Sequence, residues 1–257
     1  MNDLEKYFRE NPGRLIHKCV QYFDVYERYF SKYRGKEAVV LEIGVSHGGS
    51  LQMWKNYFGD KVKIYGIDIN PECKKFEEEN IKIFIGSQSD RNFLKTIKSQ
   101  IPPIDILIDD GGHTMQQQII TFEEMYSHVK SDGIYLCEDL HTSYWLKYGG
   151  GHKRKGTFVE YSKNFIDKIN AQYSEQSTLK ADSFTKSVRG LHYYNGMLVI
   201  EKGEITDLSI EKTGTPALSE TTDISRLPKS LAKPANVILF TVNSILRFFR
   251  LPGIIWK

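Results

Sequence analysis

The chain has 257 residues, 40% of them apolar and 26% charged, with a formal net charge of +3. That length suits one α/β domain with appendages, and the composition supports a sizeable core, which excludes a wholly disordered chain. The weak positive balance argues for no nucleic-acid partner, and three cysteines (Cys19, Cys73, Cys137) without paired spacing fit neither a disulfide framework nor a zinc site.

Residues 1–35 read as helical, because Tyr22, Val25, Tyr26, Tyr29 and Phe30 recur at three- and four-residue spacing. Such a stripe packs on a core, and Tyr22 or Tyr26 could also overhang a ligand pocket. The first dozen residues are polar, without the apolar run of a secretory signal, and no stretch has the ~18 apolar residues of a membrane span. A cytoplasmic protein is the expectation.

From residue 38 short apolar runs alternate with helical segments. Strands are predicted over 38–43, 63–69, 81–85, 104–108 and 133–137, with helices over 50–58, 71–79, 91–99 and 114–129. This alternation predicts βαβ units and a parallel sheet. A long polar, glycine-rich connection over 140–160 leads to a helix over 158–173. Asn195-Gly196, between two apolar runs in 188–203, signals a tight hairpin, adding two antiparallel strands.

The first strand ends in LEIGVSHGGS (41–50), an E-x-G-x-x-x-G-G-S turn that is not the G-x-G-x-x-G of a dinucleotide site. The second strand ends in Asp68, placed to accept both hydroxyls of a ribose. Together they suggest an adenosine ligand without a pyrophosphate. The third strand leads into Gly86-Ser87-Gln88-Ser89-Asp90, a polar cluster within reach of an adenine edge, although Asp90 can equally cap the next helix.

The fourth strand runs into Asp109-Asp110-Gly111-Gly112-His113 and the fifth into Glu138-Asp139. If these strands are neighbours, Asp110, Glu138 and Asp139 converge beyond the strand ends, where such sheets bind ligands. Like charges so crowded call for a cation, and oxygen donors favour Mg²⁺. His113, three residues after Asp110, can take the proton of a hydroxyl acidified by that ion. Read singly, these residues are only turn and helix-start residues.

LEIGVSHGGSLQMW, YGIDIN, ILIDDGGHTMQQQ and GIYLCEDLHTSYW together resemble the metal-dependent sugar O-methyltransferases of the mycinamicin and macrocin type, a branch of the class I methyltransferases; the resemblance spans roughly residues 17–200. It implies a Rossmann-like α/β fold, a mostly parallel seven-stranded sheet with an antiparallel C-terminal hairpin and helices on both faces. It implies S-adenosylmethionine and Mg²⁺ as cofactors. On the cofactor side it implies Glu42 and Gly44 at the methionine and sugar part and Asp68 at the ribose, with Ser50, Gln88, Ser89 and Asp109 grouped with them. Asp110, Glu138 and Asp139 would hold the metal, His113 would be the general base, and His141, Tyr144 and Trp145 would line the acceptor site. The N-terminal region is shorter than in the macrolide enzymes and the glycine loop after Trp145 is this chain's own, which leaves the acceptor open.

The expected division is a helical segment over 1–35, a methyltransferase domain over 36–203, and a polar linker with a basic amphipathic helix over 204–257. Residues 229–257 hold five basic residues and no acidic one. As a helix, 235–250 would carry Asn236, Asn243, Arg247 and Arg250 on one narrow face. That fits either a helix lying on a membrane surface or one packed against the core or a second subunit. A sugar or glycan acceptor and a homo-oligomer are expected, with a phenolic acceptor, or a non-catalytic partner subunit on the same fold, as alternatives.

Overall fold

The structure is a computed structural model and describes residues 1–206, 210–215, 217, 229–249 and 253. Met1–Asp207 forms one compact unit and Leu208–Lys257 another.

The first unit opens with α1 (Asp3–Glu10), started by the Asn2 side chain, which accepts from the Glu5 amide. The continuous helical segment expected over 1–35 is interrupted. Pro12-Gly13 follows α1, and the chain runs without helix until a single turn at Val20–Tyr22 leads into α2 (Phe23–Phe30). Proline lacks the amide a helix interior needs and glycine costs it entropy.

Seven strands follow: β1 (Val39–Ile43), β2 (Lys63–Asp68), β3 (Ile81–Ile85), β4 (Ile104–Asp109), β5 (Val129–Cys137), β6 (Val188–Tyr194) and β7 (Met197–Lys202). Between them lie α3 (Gly49–Phe58), α4 (Arg91–Gln100), α5 (Met115–Met125) and α6 (Phe158–Ile169). Their order across one sheet is β3-β2-β1-β4-β5-β7-β6. The first five are parallel, and β7 and β6 add antiparallel. The α/β expectation and the hairpin at Asn195-Gly196 are both met. Local signals set the boundaries: the Asp90 carboxylate caps α4, and Thr114 with Gln117 forms a capping box at α5. The helix expected over 71–79 is a shorter 3₁₀ run, Pro71–Phe76.

Two apolar layers sandwich the sheet. On one side Tyr26, Phe30, Trp54 and Phe58 from α2 and α3 meet Val40, Ile106 and Leu136. On the other, Leu94, Phe122 and Phe165 from α4, α5 and α6 meet Leu41, Leu107 and Tyr135. Each large side chain so buried contributes roughly 1.5–3 kcal/mol.

Strand register aligns the residues at the top of the sheet. Ile43 pairs with Asp109 and Asp109 with Cys137, so β1, β4 and β5 end level. The next residues, Gly44, Asp110 and Glu138, therefore emerge side by side, where strand order reverses about β1.

In the second unit, α7 (Lys229–Phe248) extends the helix expected over 235–250 at its start. Val237, Ile238, Ile245, Phe248 and Phe249 are exposed. The side chains of Asn236, Arg247 and Arg250, and much of the polar linker, lie outside the described residues. Among the described residues no helix is long and apolar enough to cross a membrane.

Candidate active site

A cavity of about 360 Å³ opens at the level ends of β1, β4 and β5, within the size range of small-molecule sites. One end is framed by Gly44 to Ser46, Asp68, Ser87 and Gly111, the other by Lys18, Cys19, Asp110, His113, Glu138 and Asp139.

The first end is made mainly of backbone. Gly44 has φ +97°, and a Cβ there would lie 2.0 Å from the Asp110 carbonyl oxygen, so only glycine fits. Asp68 Oδ2 accepts from the Val45 and Ser46 amides, each at 2.9 Å, and Oδ1 from the Asn70 amide at 2.8 Å. The carboxylate thus fixes the turn while lining the cavity. Gln88 is buried: its Nε2 donates to Asp109 Oδ1 and Thr121, and its Oε1 accepts from the Gly112 amide. It lines the cavity, but its amide is committed to holding the loop after β4.

Ser50 lines the cavity and donates to Glu42 Oε2 at 2.7 Å. Glu42 itself is fully buried behind the wall, and burial pushes its pKa up. Asp109 and Ser89, expected on the cofactor side, do not line the cavity. Asp109 is the last strand residue, side chain buried, and burial raises its pKa to about 7. Ser89 is tied to Ser87, which takes the place at the cavity.

At the second end Asp110 and Asp139 come together with His113, while Glu138, expected in the same ligand group, turns its Oε1 to Lys18 and Tyr26. Asp110, His113 and Asp139 each offer one ligand atom, all within 4.8 Å of one another. His113 Nε2 lies 3.5 Å from Asp139 Oδ2 and 3.7 Å from Asp110 Oδ1. His113 and Asp139 both adopt positive φ, 55° and 56°, a conformation uncommon for non-glycine residues though one that Asp and His enter more readily than most.

Sequence patterns gave no warning of the cation that sits behind this cluster. Lys18 Nζ donates to Asp110 Oδ2 (2.5 Å), Glu138 Oε1 (2.9 Å) and Glu42 Oε1 (3.3 Å), and its side chain is 2% exposed. Burial alone would lower its pKa, but Asp110, Glu138 and Glu42 outweigh burial and hold it well above the usual lysine value. Glu138 also accepts from the Tyr26 hydroxyl at 2.7 Å. Its pKa is pushed up to about 8, by burial first and by Asp110 second, against the pull of Lys18. Tyr22 donates to Asp139 Oδ1 at 3.0 Å. Part of the like charge is thus already neutralised by the protein. Lys18 carries no motif of its own in the sequence; the four-residue spacing of Lys18, Tyr22 and Tyr26 was the available signal.

His141, Tyr144 and Trp145 do not line the cavity. They sit on the short helical turn after β5, where His141 stacks edge-on against Trp145 with ring centroids 4.7 Å apart. His141 Nδ1 reaches to 4.0 Å from Asp139 Oδ1, which places this exposed aromatic group at the rim on the acid side.

Residues 41–140, from within β1 to just past β5, match a family described as a methyltransferase domain. This chain carries a methyltransferase domain. The matched residues contain the glycine turn, Asp68, the Asp110–His113 loop, Glu138 and Asp139. The chain is 35% identical over 189 residues to demethylmacrocin O-methyltransferase of Streptomyces fradiae, covering 69% of this chain and 47% of that protein. It is likewise 35% identical over 189 residues to mycinamicin VI 2''-O-methyltransferase of Micromonospora griseorubida, again 69% and 47%. The chain thus spans about half the length of the curated relatives it matches. The MycE methyltransferase of the mycinamycin pathway, solved in complex with Mg, SAH and mycinamycin VI, superposes with a TM-score of 0.70 at 31% identity, over 91% of this chain and 58% of that one. The methyltransferase domain and its sheet are therefore of the Rossmann-like kind.

Proposed function

We propose that the chain is an S-adenosylmethionine- and Mg²⁺-dependent O-methyltransferase acting on a sugar hydroxyl of a bacterial glycan or glycosylated metabolite. The observation that carries this reading is one cavity with a backbone cradle beside Asp68 at one end and Asp110, His113 and Asp139 at the other. The donor set fits a hard divalent ion: carboxylate oxygens of Asp110 and Asp139 face His113, with Glu138 the neighbouring acid. Bound there, such an ion would lower the cost of negative charge on a substrate oxygen. The relatives' names and the Mg and SAH of the MycE complex support both cofactors.

The residues then have distinct tasks. Asp68, with Oδ2 taken by two turn amides, would offer Oδ1 to a ribose hydroxyl, and the Gly44 turn would admit the methionine part of the cofactor. His113 Nε2 would take the proton of the acceptor hydroxyl, and the cofactor would supply the methyl group from its sulfonium and leave as the thioether S-adenosylhomocysteine. Asp110 and Asp139, whose Oδ1 and Oδ2 face Nε2, would hold the ion beside that base. The rim rings of His141, Tyr144 and Trp145 offer flat surfaces to a sugar's apolar face.

A methyl-transfer assay against nucleotide sugars and glycosylated intermediates, with and without EDTA, tests the reading. Transfer abolished by EDTA and restored by Mg²⁺ is expected; EDTA-resistant transfer refutes the metal. A second role for His113 is favoured by its place within 4.8 Å of both acids, that of a metal ligand. His113→Ala separates the two: a base loses turnover with Mn²⁺ affinity intact, a ligand loses both.

The second unit supports contact with an anionic membrane surface. Residues 229–257 carry Lys229, Lys233, Arg247, Arg250 and Lys257 and no acid, and α7 leaves large apolar side chains exposed. Deleting 228–257 should abolish binding to anionic vesicles. Unchanged binding, or a loss of self-association instead, would reject the membrane role.

A further inference from the structure

The groups behind the acid cluster all come from one short segment ahead of the sheet. We propose that Lys18, Tyr22 and Tyr26 are positioning residues for the divalent cation, so that this segment sets how tightly the site holds metal. Their role rests on the proposed function, in which the acid cluster binds a divalent ion.

The three residues are four apart, and each presents its polar end to the cluster. Lys18 donates to Asp110 and Glu138, Tyr22 to Asp139, and Tyr26 to Glu138. Their side chains are almost wholly buried, so little water competes for these bonds. Each bond pins one carboxylate oxygen from behind. Lys18 takes Asp110 Oδ2 and Tyr22 takes Asp139 Oδ1. The opposite oxygens, Asp110 Oδ1 and Asp139 Oδ2, are the ones nearest His113 Nε2. A carboxylate held by one oxygen presents the other in a fixed direction, so less ordering remains when a cation binds.

The β6–β7 turn packs on Tyr22, whose single hydroxyl proton is shared between Asp139 Oδ1 and the Gly196 carbonyl. That hydroxyl lies 3.1 Å from the Gly196 carbonyl oxygen, and a Cβ on Gly196 would come within 2.4 Å of it. The β6–β7 turn therefore closes over the hydroxyl and leaves no room for a side chain at Gly196.

Mn²⁺ binding to the full chain, followed by the electron-spin resonance of the free ion, tests this with Tyr22→Phe, Tyr26→Phe and Tyr29→Phe. Each replacement keeps the ring and removes one hydroxyl. Tyr29 is the control, since it lies on the same helix as Tyr26 but its hydroxyl meets Tyr194. Tyr22→Phe and Tyr26→Phe should weaken Mn²⁺ about 10–100-fold, the usual cost of losing a partner that orients a metal ligand. Binding of SAH in EDTA and the melting temperature in EDTA should stay near those of the wild type, and Tyr29→Phe should bind Mn²⁺ normally. Equal Mn²⁺ affinity in wild type and Tyr22→Phe overturns the positioning role. A matching loss of SAH affinity and melting temperature overturns it too, by marking a general structural defect. Wild-type protein that binds no Mn²⁺ defeats the underlying cation reading instead.

Discussion

The two ends of the cavity are built from different material. At the cofactor end, neighbouring turns hold one another through main-chain atoms: Asp68 accepts two amides of the Gly44–Ser46 turn, and Gly44 lies against the Asp110 carbonyl. At the acid end, side chains on strand tips are held by side chains from 92 to 120 positions away in sequence, Lys18 to Asp110 and Lys18 to Glu138. A main-chain cradle tolerates changes to most side chains but not to its glycines. A side-chain cluster fails when any one partner is lost.

If the ends are independent and the acid end holds the proposed metal, Asp139→Asn should cut turnover about 1,000-fold, since such an ion would supply several kcal/mol of transition-state stabilisation. The same variant should bind SAH as the wild type does in calorimetry; a large loss of SAH affinity would merge the two ends. Gly44→Ala should do the reverse damage. Its Cβ meets the Asp110 carbonyl and its φ is positive, so about 2–3 kcal/mol of stability in urea melts should go with SAH binding. A variant that keeps both would contradict the backbone account.

Asp68→Asn sharpens the contrast within the cofactor end. An amide that turns its NH₂ toward the Val45 and Ser46 amides loses two acceptor bonds, so stability should fall by about 1–2 kcal/mol and SAH affinity about 10-fold. An unaltered melting midpoint in urea would show that the turn does not lean on this carboxylate.

The smallest effect is expected far from both ends, at His128, just before β5 begins. Burial holds its pKa below the ordinary value of 6.5. The folded state thus binds fewer protons than the unfolded one. Its contribution is complete above about pH 6.5 and is lost as pH falls through the depressed folded value. His128→Gln should remove that loss, leaving a variant whose stability declines less on acidification by under about 1 kcal/mol. Urea melts between about pH 7 and 5 check this, and parallel curves would reject it.

Much of the fold and half of the site were legible in the sequence for a shared reason. Strand and helix alternation, Asn195-Gly196, the glycine turn and the acids after β4 and β5 are all local patterns, written within a few residues. The level strand ends follow once the strands pair, so Asp110 and Asp139 could be placed together before any coordinates. What stayed hidden was long-range or solitary. The stripe over 22–30 is helical as expected, but it says nothing of the residues before it, where Pro12-Gly13 ends α1. Gln88 and Ser89 read as polar loop residues open to a ligand, yet Gln88 turns inward to serve Asp109 and Gly112. Tyr22 and Tyr26 were recognised by their rings, which are core, and not by their hydroxyls, which reach the acids. Lys18 stands four residues before Tyr22, in step with the stripe, but a lysine is no part of an apolar pattern, and its partners lie 92 to 120 positions away.

That lysine bears on what a chelator does to the chain. Where acids gather with no cation of the protein's own, folding itself awaits the metal, as in small zinc domains that unfold when stripped. Here an ammonium spans the tips of β1, β4 and β5 from within. If the proposed metal-dependent transfer holds, stripping the divalent ion should therefore stop turnover without melting the chain, and turnover should resume as soon as Mg²⁺ returns.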